Sequence, residues 1–536
     1  MENNYRRSPA DEKTVIGIEF GSTRIKAVAT DENGAVRASG AFGWESHMEG
    51  GFWSYGLDEV ISGLQECFAG LKEDYLKRNG RPLTHADAMG VSAMMHGYLA
   101  FGRDGELLTP FRTWRNTTTL RASTELTQEL GFNIPQRWSA AHFYQAVLDG
   151  EEHVGRVAFL TTLAGYVYWR LTGLRVLGVG DASGMFPIDP QTCNYDAGML
   201  KKFEALTAAH GCAVKLSKVL PRVLMAGDDA GALTNKGALL LDPSGEFSAG
   251  AAVCPPEGDA GTGMAATGSV LERTGNVSAG TSIFAMTVLE RPLKKVYPEI
   301  DVVATPDGKP VAMVHCNNCL GDFDAWVGVF AQFAKKTGFT GGMGELYELM
   351  FRSAGEGSAD CGGVTVYNYL GGEPVTGLEA GAPMVLRDPD AHFTFDNLMR
   401  AQLYSAMAAL AVGMRRLEEE DAVAQVMYGH GGLFKTKDVG QRMLASALGM
   451  PVAVRETAGE GGPWGMALLA AYMLTKGEGQ TLSGWLGEKV FRGGGAAAMP
   501  PDEKAAAGFK KYLDRYEALL DAEKTAVAKR RAFEEK

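Results

Sequence analysis

The sequence predicts an α/β protein of two domains, on three observations. A chain of 536 residues, 46% hydrophobic and 22% charged, is too long for one ordinary core and apolar enough to bury two. Its opening reads as antiparallel strands joined by tight turns. Its later half alternates short β-branched runs, glycine turns and helical periodicity.

Thr14 to Phe20 is rich in β-branched residues and reads as a buried strand. Gly21-Ser22-Thr23 is a tight turn before a second strand from Ile25 to Ala29, and Asp31-Glu32-Asn33-Gly34 signals a hairpin into a third. Leu57 to Leu76 carries Val60, Ile61, Leu64, Phe68 and Leu71 at helical spacing. Ala88 to Met95 is a strand ending in His96-Gly97, and Tyr98 to Phe101 continues extended. Ala140 to Leu171 has a helical pattern. A domain boundary is placed near Gly268.

Beyond the boundary, Ile283 to Leu289 is a strand, Asp324 to Lys336 and Asp396 to Glu418 are helices, and Val426 to Tyr428 is a strand running into Gly429-His430-Gly431-Gly432. A helix from about Thr436 to Leu448, a strand at Pro451 to Val454 and a helix opened by Gly461-Gly462-Pro463 follow. Gly493 to Ala498 reads as a flexible linker. After it, Asp502 can cap a final helix whose Phe509, Tyr512, Leu513, Tyr516, Leu519 and Leu520 share one face.

Composition excludes several classes of function. The net charge is −12, and no Lys/Arg block is long enough to track a phosphate backbone, so no nucleic acid partner is expected. An acidic surface does not forbid ATP, which backbone amides and Mg²⁺ can hold. Residues 1–13 are polar and lack the apolar core of a secretion signal, and no apolar run reaches membrane-spanning length. A cytoplasmic location is expected, with no membrane partner. Seven scattered cysteines suit a reducing compartment. Cys316-Asn-Asn-Cys319, preceded by His315, has metal-like spacing but no second pair, so buried thiols are expected.

The chemistry centres on Gly258-Asp259-Ala-Gly261-Thr-Gly263, with Ser278-Ala-Gly280-Thr281-Ser282 just beyond. Glycines let backbone amides approach phosphate oxygens, and a carboxylate beside such a turn can take the proton of an attacking hydroxyl. Taken alone, the run also fits a surface loop. His96 at a strand end, with Trp114 close by, suits a small polyol, or equally a core histidine and a packing indole. Gly261-x-Gly263-x-x-Ala266 resembles a dinucleotide fingerprint, but no strand precedes it and no acid follows at the required distance. The Gly429 stretch approaches a phosphate loop, yet Phe434 occupies the glycine position.

In their order these motifs resemble the FGGY family of carbohydrate kinases, within the actin/hexokinase-like ATPases, over roughly Thr14 to Tyr472. The resemblance implies two actin/ribonuclease-H-like domains, each a mixed β-sheet flanked by helices, with ATP and sugar in an interdomain cleft. It assigns 14–268 to sugar binding and catalysis, 269–480 to nucleotide binding, and 500–536 to a helical extension. It implies that Asp259 is the general base and that Met95, His96, Gly97, Trp114 and Asn116 contact the sugar. Gly21, Ser22, Thr23, Gly280, Thr281 and Ser282 match the phosphate turns, and Gly431 and Gly432 the adenosine loop. Glu19, where the family has Asp, would hold Mg²⁺ through water. Met94, Thr118, Ala164-Gly165 and His430 also depart from the family pattern. The implied activity is transfer of the γ-phosphate of Mg-ATP to a ketose, a xylulose-like pentulose being favoured, by an enzyme that is a candidate homodimer. The alternative is an actin-like ATP-binding protein with a sensor or structural role.

Overall fold

A computed structural model describes residues 13–455, 461–492 and 496–534. The chain divides into two compact units. The first takes the chain to Leu271, Asp301–Val311 and the described residues 461–492; the second takes Glu272–Ile300 and the described residues 312–455 and 496–534. Residues 1–12, on which part of the expected polar N-terminus falls, lie outside the described residues.

In the first unit, β1 (Val15–Phe20) pairs antiparallel with β2 (Arg24–Thr30), and β2 with β3 (Val36–Gly43). Every residue of β1 is buried, which explains its unbroken apolar run. Helix α1 (Leu57–Asn79) packs on β3 and buries Val60, Leu64, Phe68 and Leu71. It starts where the Glu59 side chain accepts the Gly56 amide and stops at Gly80 in a left-handed conformation. On the other side of β1 lies β4 (Ala88–Ala93), in parallel. Beyond β4, also in parallel, come β5 (Ala252–Val253) and β6 (Glu257–Gly258). Chain order and sheet order therefore differ, giving β5-β4-β1-β2-β3 with β6 also on β4.

Helix α2 (Asp259–Thr267) follows β6 directly. The glycine-rich run expected as a turn is thus a helix, and its small residues serve packing. The helix Gly461–Thr475 lies against both α2 and β1. A β-carbon at Gly465 would run into the Thr262 carbonyl, and one at Gly17 into the Pro463 carbonyl. Trp464 Nε1 donates to the Gly34 carbonyl at 2.7 Å, tying the same helix to the β2–β3 turn. These contacts place 461–492 with the first unit, whereas the sequence reading put residues up to 480 in the second domain.

The second unit repeats the scheme. β7 (Thr274–Ala279) pairs antiparallel with β8 (Ile283–Val288). The core helix α3 (Phe395–Glu419) is buried along most of its length. β9 (Val426–His430) adds parallel to β7, β10 (Val452–Val454) parallel to β9, and β11 (Ala497–Met499) antiparallel to β10. Of the expected linker, 493–495 lie outside the described residues, while Ala497 and Ala498 form part of β11. Asp502 caps α4 (Glu503–Ala518) by accepting the Ala505 amide at 2.7 Å. Phe509, Tyr512, Leu513 and Tyr516 are buried, and Tyr512 donates to the carbonyls of Val366 and Ala401.

The helical pattern over 140–171 resolves into helices at Ser139–Leu148 and Leu163–Thr172. Between them Phe159–Thr161 is a buried strand paired with Leu99–Phe101. Gly150 has φ +66°, a conformation that ends the first helical run.

Packing at Gly17 sets the first prediction. Gly17→Val lowers the stability of the protein in urea denaturation by ~1–3 kcal/mol or more, because the added atoms overlap the helix backbone. The same change at Gly43, where a β-carbon meets nothing within 4 Å, stays within about 0.5 kcal/mol.

Candidate active site

Strand register builds the site in the first unit. Glu19 of β1 pairs with Ser92 of β4, and Ser92 with Glu257 of β6; the next row is Phe20, Ala93 and Gly258. The three strands are parallel and stop together. The chain therefore leaves them at one edge, as Gly21, Met94 and Asp259, at the carboxyl ends where sites in such sheets form.

Asp259 is the first residue of α2, and its Oδ1 accepts the Met95 amide at 3.2 Å. Its side chain reaches solvent. Protein packed around its base raises the carboxyl above its ordinary value, while the amides of Met95 and Ala260 and the charge of Arg137 oppose the rise. Amide donors and a helix start both favour a carboxylate there.

His96 is 5% exposed and has φ +70°, a conformation a non-glycine residue holds only when its surroundings impose it. Its Nδ1 lies 3.2 Å from the Gly184 carbonyl, which fixes that nitrogen as the donor, and its ring stacks on Trp138 at 6.2 Å between centroids. Met95 is buried, with its side chain against Gly258. Gly97, at φ +98°, donates to the Arg137 carbonyl and takes the chain around the corner under Phe111.

The first glycine turn closes through the Gly21 amide on the Arg24 carbonyl at 2.9 Å. Three aromatic side chains hold it: Trp44 Nε1 on the Gly21 carbonyl, Tyr55 Oη on the Ser22 carbonyl, and Trp114 Nε1 on Ser22 Oγ at 3.3 Å. Thr23 is exposed. Trp114 thus sits beside the turn. Asn116 is 3% exposed, and its amide is occupied by the backbone of Trp53 and Thr113.

Glu19 is buried against the first turn of the helix Gly461–Thr475, where a β-carbon on Gly462 would strike its carboxyl. Burial pushes its pKa up to about 7, opposed by the Lys26 ammonium 3.7 Å away and assisted by the charge of Asp259. Among the described residues no group of three His, Cys, Asp or Glu side chains could hold a metal. An Mg²⁺ ion would therefore need most of its ligands from a bound molecule or water, with Glu19 reaching it only through water.

In the second unit, Gly280, Thr281 and Ser282 form the β7–β8 turn, in the position Gly21 to Thr23 hold between β1 and β2. The carbonyls of Gly280 and Thr281 accept the amides of Leu320 and Cys319. Gly431, at φ +102°, passes over Ala279 so closely that a β-carbon would overlap its carbonyl, and Gly432 follows beside Leu320. Turn and glycine pair are therefore neighbours in this unit. Phe434 lies against Gly429, and burial lowers the pKa of His430. Cys316 and Cys319 are buried free thiols.

Sequence reasoning passed over two carboxyls next to Asp259. Glu257 is 1% exposed, and burial with the charge of Asp181 pushes it up to about 8. Asp181 is fully buried, and burial, partly opposed by a hydrogen bond from Thr162, brings it to about 7. The signal was present: Gly180-Asp181-Ala-Ser-Gly184 is an acid in a run of small residues, as Gly258-Asp259-Ala is.

Comparison with known proteins settles the family. The FGGY carbohydrate kinase N-terminal domain matches residues 14–243, and the C-terminal domain of the same family matches 275–474. The chain belongs to the FGGY family of carbohydrate kinases. It is 21% identical over 336 residues to the xylulose kinase of Haemophilus influenzae, an alignment covering 61% of this chain and 63% of that relative, less than two thirds of its length. The ligand-bound xylulose kinase structure from Lactobacillus acidophilus has a TM-score of 0.76 at 18% identity, covering 95% of this chain and 98% of that one. The gluconate kinase structure from the same organism has a TM-score of 0.77 at 18% identity, covering 96% and 98%. Such structural likeness establishes the FGGY kinase fold, shared by proteins named for different sugars.

The buried Glu19 gives the second prediction. Its folded pKa, about 7, lies above the ordinary 4.5. The stability contributed by its protonated form is therefore fully present below pH 4.5 and lost as pH rises through about 7. In thermal or urea unfolding, the wild type should lose on the order of 3 kcal/mol or less across that window relative to Glu19→Gln.

Proposed function

We propose that the protein is an ATP-dependent sugar kinase transferring the γ-phosphate of Mg-ATP to a hydroxyl of a ketose, with a xylulose-like pentulose the favoured substrate. The observation that carries the reading is the hydrogen bond from the Met95 amide to Asp259, which puts the expected base and the expected sugar-binding strand end side by side.

In this reading Asp259 accepts the proton of the substrate hydroxyl as that oxygen forms its bond to the γ-phosphorus. The bond to the bridging oxygen of ADP breaks in the same displacement. This role needs the carboxylate form, which the amides of Met95 and Ala260 and the charge of Arg137 favour against the burial that raises the group. His96, fixed by Gly184, presents its ring to the sugar, with Met95 and Gly97 shaping the backbone around it. Trp114 offers an apolar face beside the Ser22 turn. Asn116 supports the reading indirectly, by bracing the segment that carries Trp114. In the first unit Ser22 and Thr23 would offer donors to phosphoryl oxygens; within the second unit, taken by itself, Thr281 and Ser282 would do the same and Gly431 and Gly432 would make room for adenosine. Mg²⁺, when bound with ATP, would neutralise phosphate charge.

Asp259→Asn tests the base. It should leave folding and ATP affinity nearly unchanged and lower sugar-dependent ADP release by about two or more orders of magnitude. Near-normal turnover by that variant rejects the assignment. Wild-type protein with Mg-ATP and a panel of pentuloses, hexuloses, aldoses and polyols tests the substrate: ADP release should be greatest with a pentulose. Release that no sugar stimulates would favour a nucleotide-binding protein without kinase activity.

A further inference from the structure

Behind Asp259 lies a short helical turn, 180–184, that meets both Glu257 and His96. Its first two amides are received by one side chain: Glu257 Oε1 accepts the Gly180 amide at 3.3 Å, and Oε2 the Asp181 amide at 3.0 Å. A β-carbon at either Gly178 or Gly180 would strike the Glu257 carboxyl, so both glycines make room for it. Farther along the turn, Ser183 Oγ donates to the Gly180 carbonyl at 2.5 Å and accepts the Ala304 amide at 2.9 Å. At its end, the Gly184 carbonyl faces His96 Nδ1.

Asp181 occupies the middle of the turn. Its Oδ2 accepts the Thr162 hydroxyl at 2.6 Å, and its Oδ1 has no hydrogen-bond partner among the described residues. That oxygen lies 3.4 Å from where a β-carbon of Gly258 would stand, beside the residue that leads into Asp259. Glu257, Gly258 and Asp259 are consecutive. The carboxyl that holds the turn therefore shares a rigid strand end with the carboxylate proposed to do the chemistry.

We propose that Glu257 is a positioning residue: its two carboxyl oxygens clamp the 180–184 turn onto the strand end that carries Asp259, and so set Asp259 and His96 at their working separation. The inference rests on Asp259 being the base. The ionisable groups around Glu257 are Asp181 on the turn, Cys254 before it and Asp259 after it. Burial, with the charge of Asp181, raises Glu257 to about 8, and burial raises Asp181 to about 7, so both members of this buried pair hold protons more readily than ordinary carboxyls. A clamp made of backbone amides works with either protonation state of its neighbour, which suits a group required to hold geometry and not to exchange protons with substrate.

Glu257→Gln separates the clamp from bulk packing. The amide has nearly the same shape but only one acceptor oxygen, so its NH₂ opposes one of the two N–H groups. Hydrogen exchange on the full-length variant should quicken at the amides of 180–184 and 95–97 by about tenfold or more, as their local opening becomes easier. The kcat for the preferred sugar should fall by up to ~100-fold, with the KM for ATP unchanged. Unchanged exchange at those amides overturns the proposal. So does faster exchange with unchanged kcat, since Glu257 would then serve the fold alone. Wild-type protein that turns over no sugar overturns the kinase reading, and this inference with it. Gly180→Ala, whose added carbon would strike the Glu257 carboxyl, covers the case in which Glu257→Gln does not fold: exchange at 180–184 and 95–97 should quicken and kcat should fall, and no change in either counts against the clamp.

Discussion

The register of three parallel strands governs the first unit. Because Glu19, Ser92 and Glu257 lie in one row, and Phe20, Ala93 and Gly258 in the next, the strands release the chain at a common edge. Residues far apart in sequence then meet through backbone pairing alone. A slip of one residue in β6 would send Asp259 to the opposite side of the sheet, because successive side chains alternate faces. Much of the surrounding packing serves this register. The helix Gly461–Thr475 lies on β1 through glycine contacts, and α2 is wedged beside it.

That edge gathers four carboxyls, Glu19, Asp181, Glu257 and Asp259. Physical chemistry sorts them. Three are buried, and desolvation lifts them to about 7 or 8. The fourth reaches solvent and receives a backbone amide. Charge is least costly on the group that keeps water and donors, so carboxyls of one chemical type differ here by their surroundings.

Much of the fold was legible in the sequence. The opening hairpins, α1, β4, α3 and the Asp502-capped α4 follow from periodicity, turn residues and caps, and each stands close to where those signals put it. Other features were not. The run from Gly258 to Gly268 has the composition of a loop but folds as a helix, because glycine and alanine there let another helix approach, and close approach is a tertiary demand invisible to local propensity. The strand Phe159–Thr161 was hidden because a short apolar run between two helices carries no period of its own. Of the candidate site, motif order marks Asp259, Met95 and His96, and the fold brings Asp259 against the Met95 amide. Glu257 and Asp181 were not marked, since a buried acid is recognised by what surrounds it in space. Asn116 illustrates the converse: the sequence marks it as polar and near Trp114, while the fold spends its hydrogen bonds on the Trp53 backbone.

The most direct test of the account is a crystal structure of the protein with a ketose and a non-hydrolysable ATP analogue. The account predicts a sugar hydroxyl within about 3.2 Å of an Asp259 carboxylate oxygen, with His96 against the same sugar. A sugar seated away from Asp259, or Asp259 turned from a sugar that His96 does hold, would contradict it.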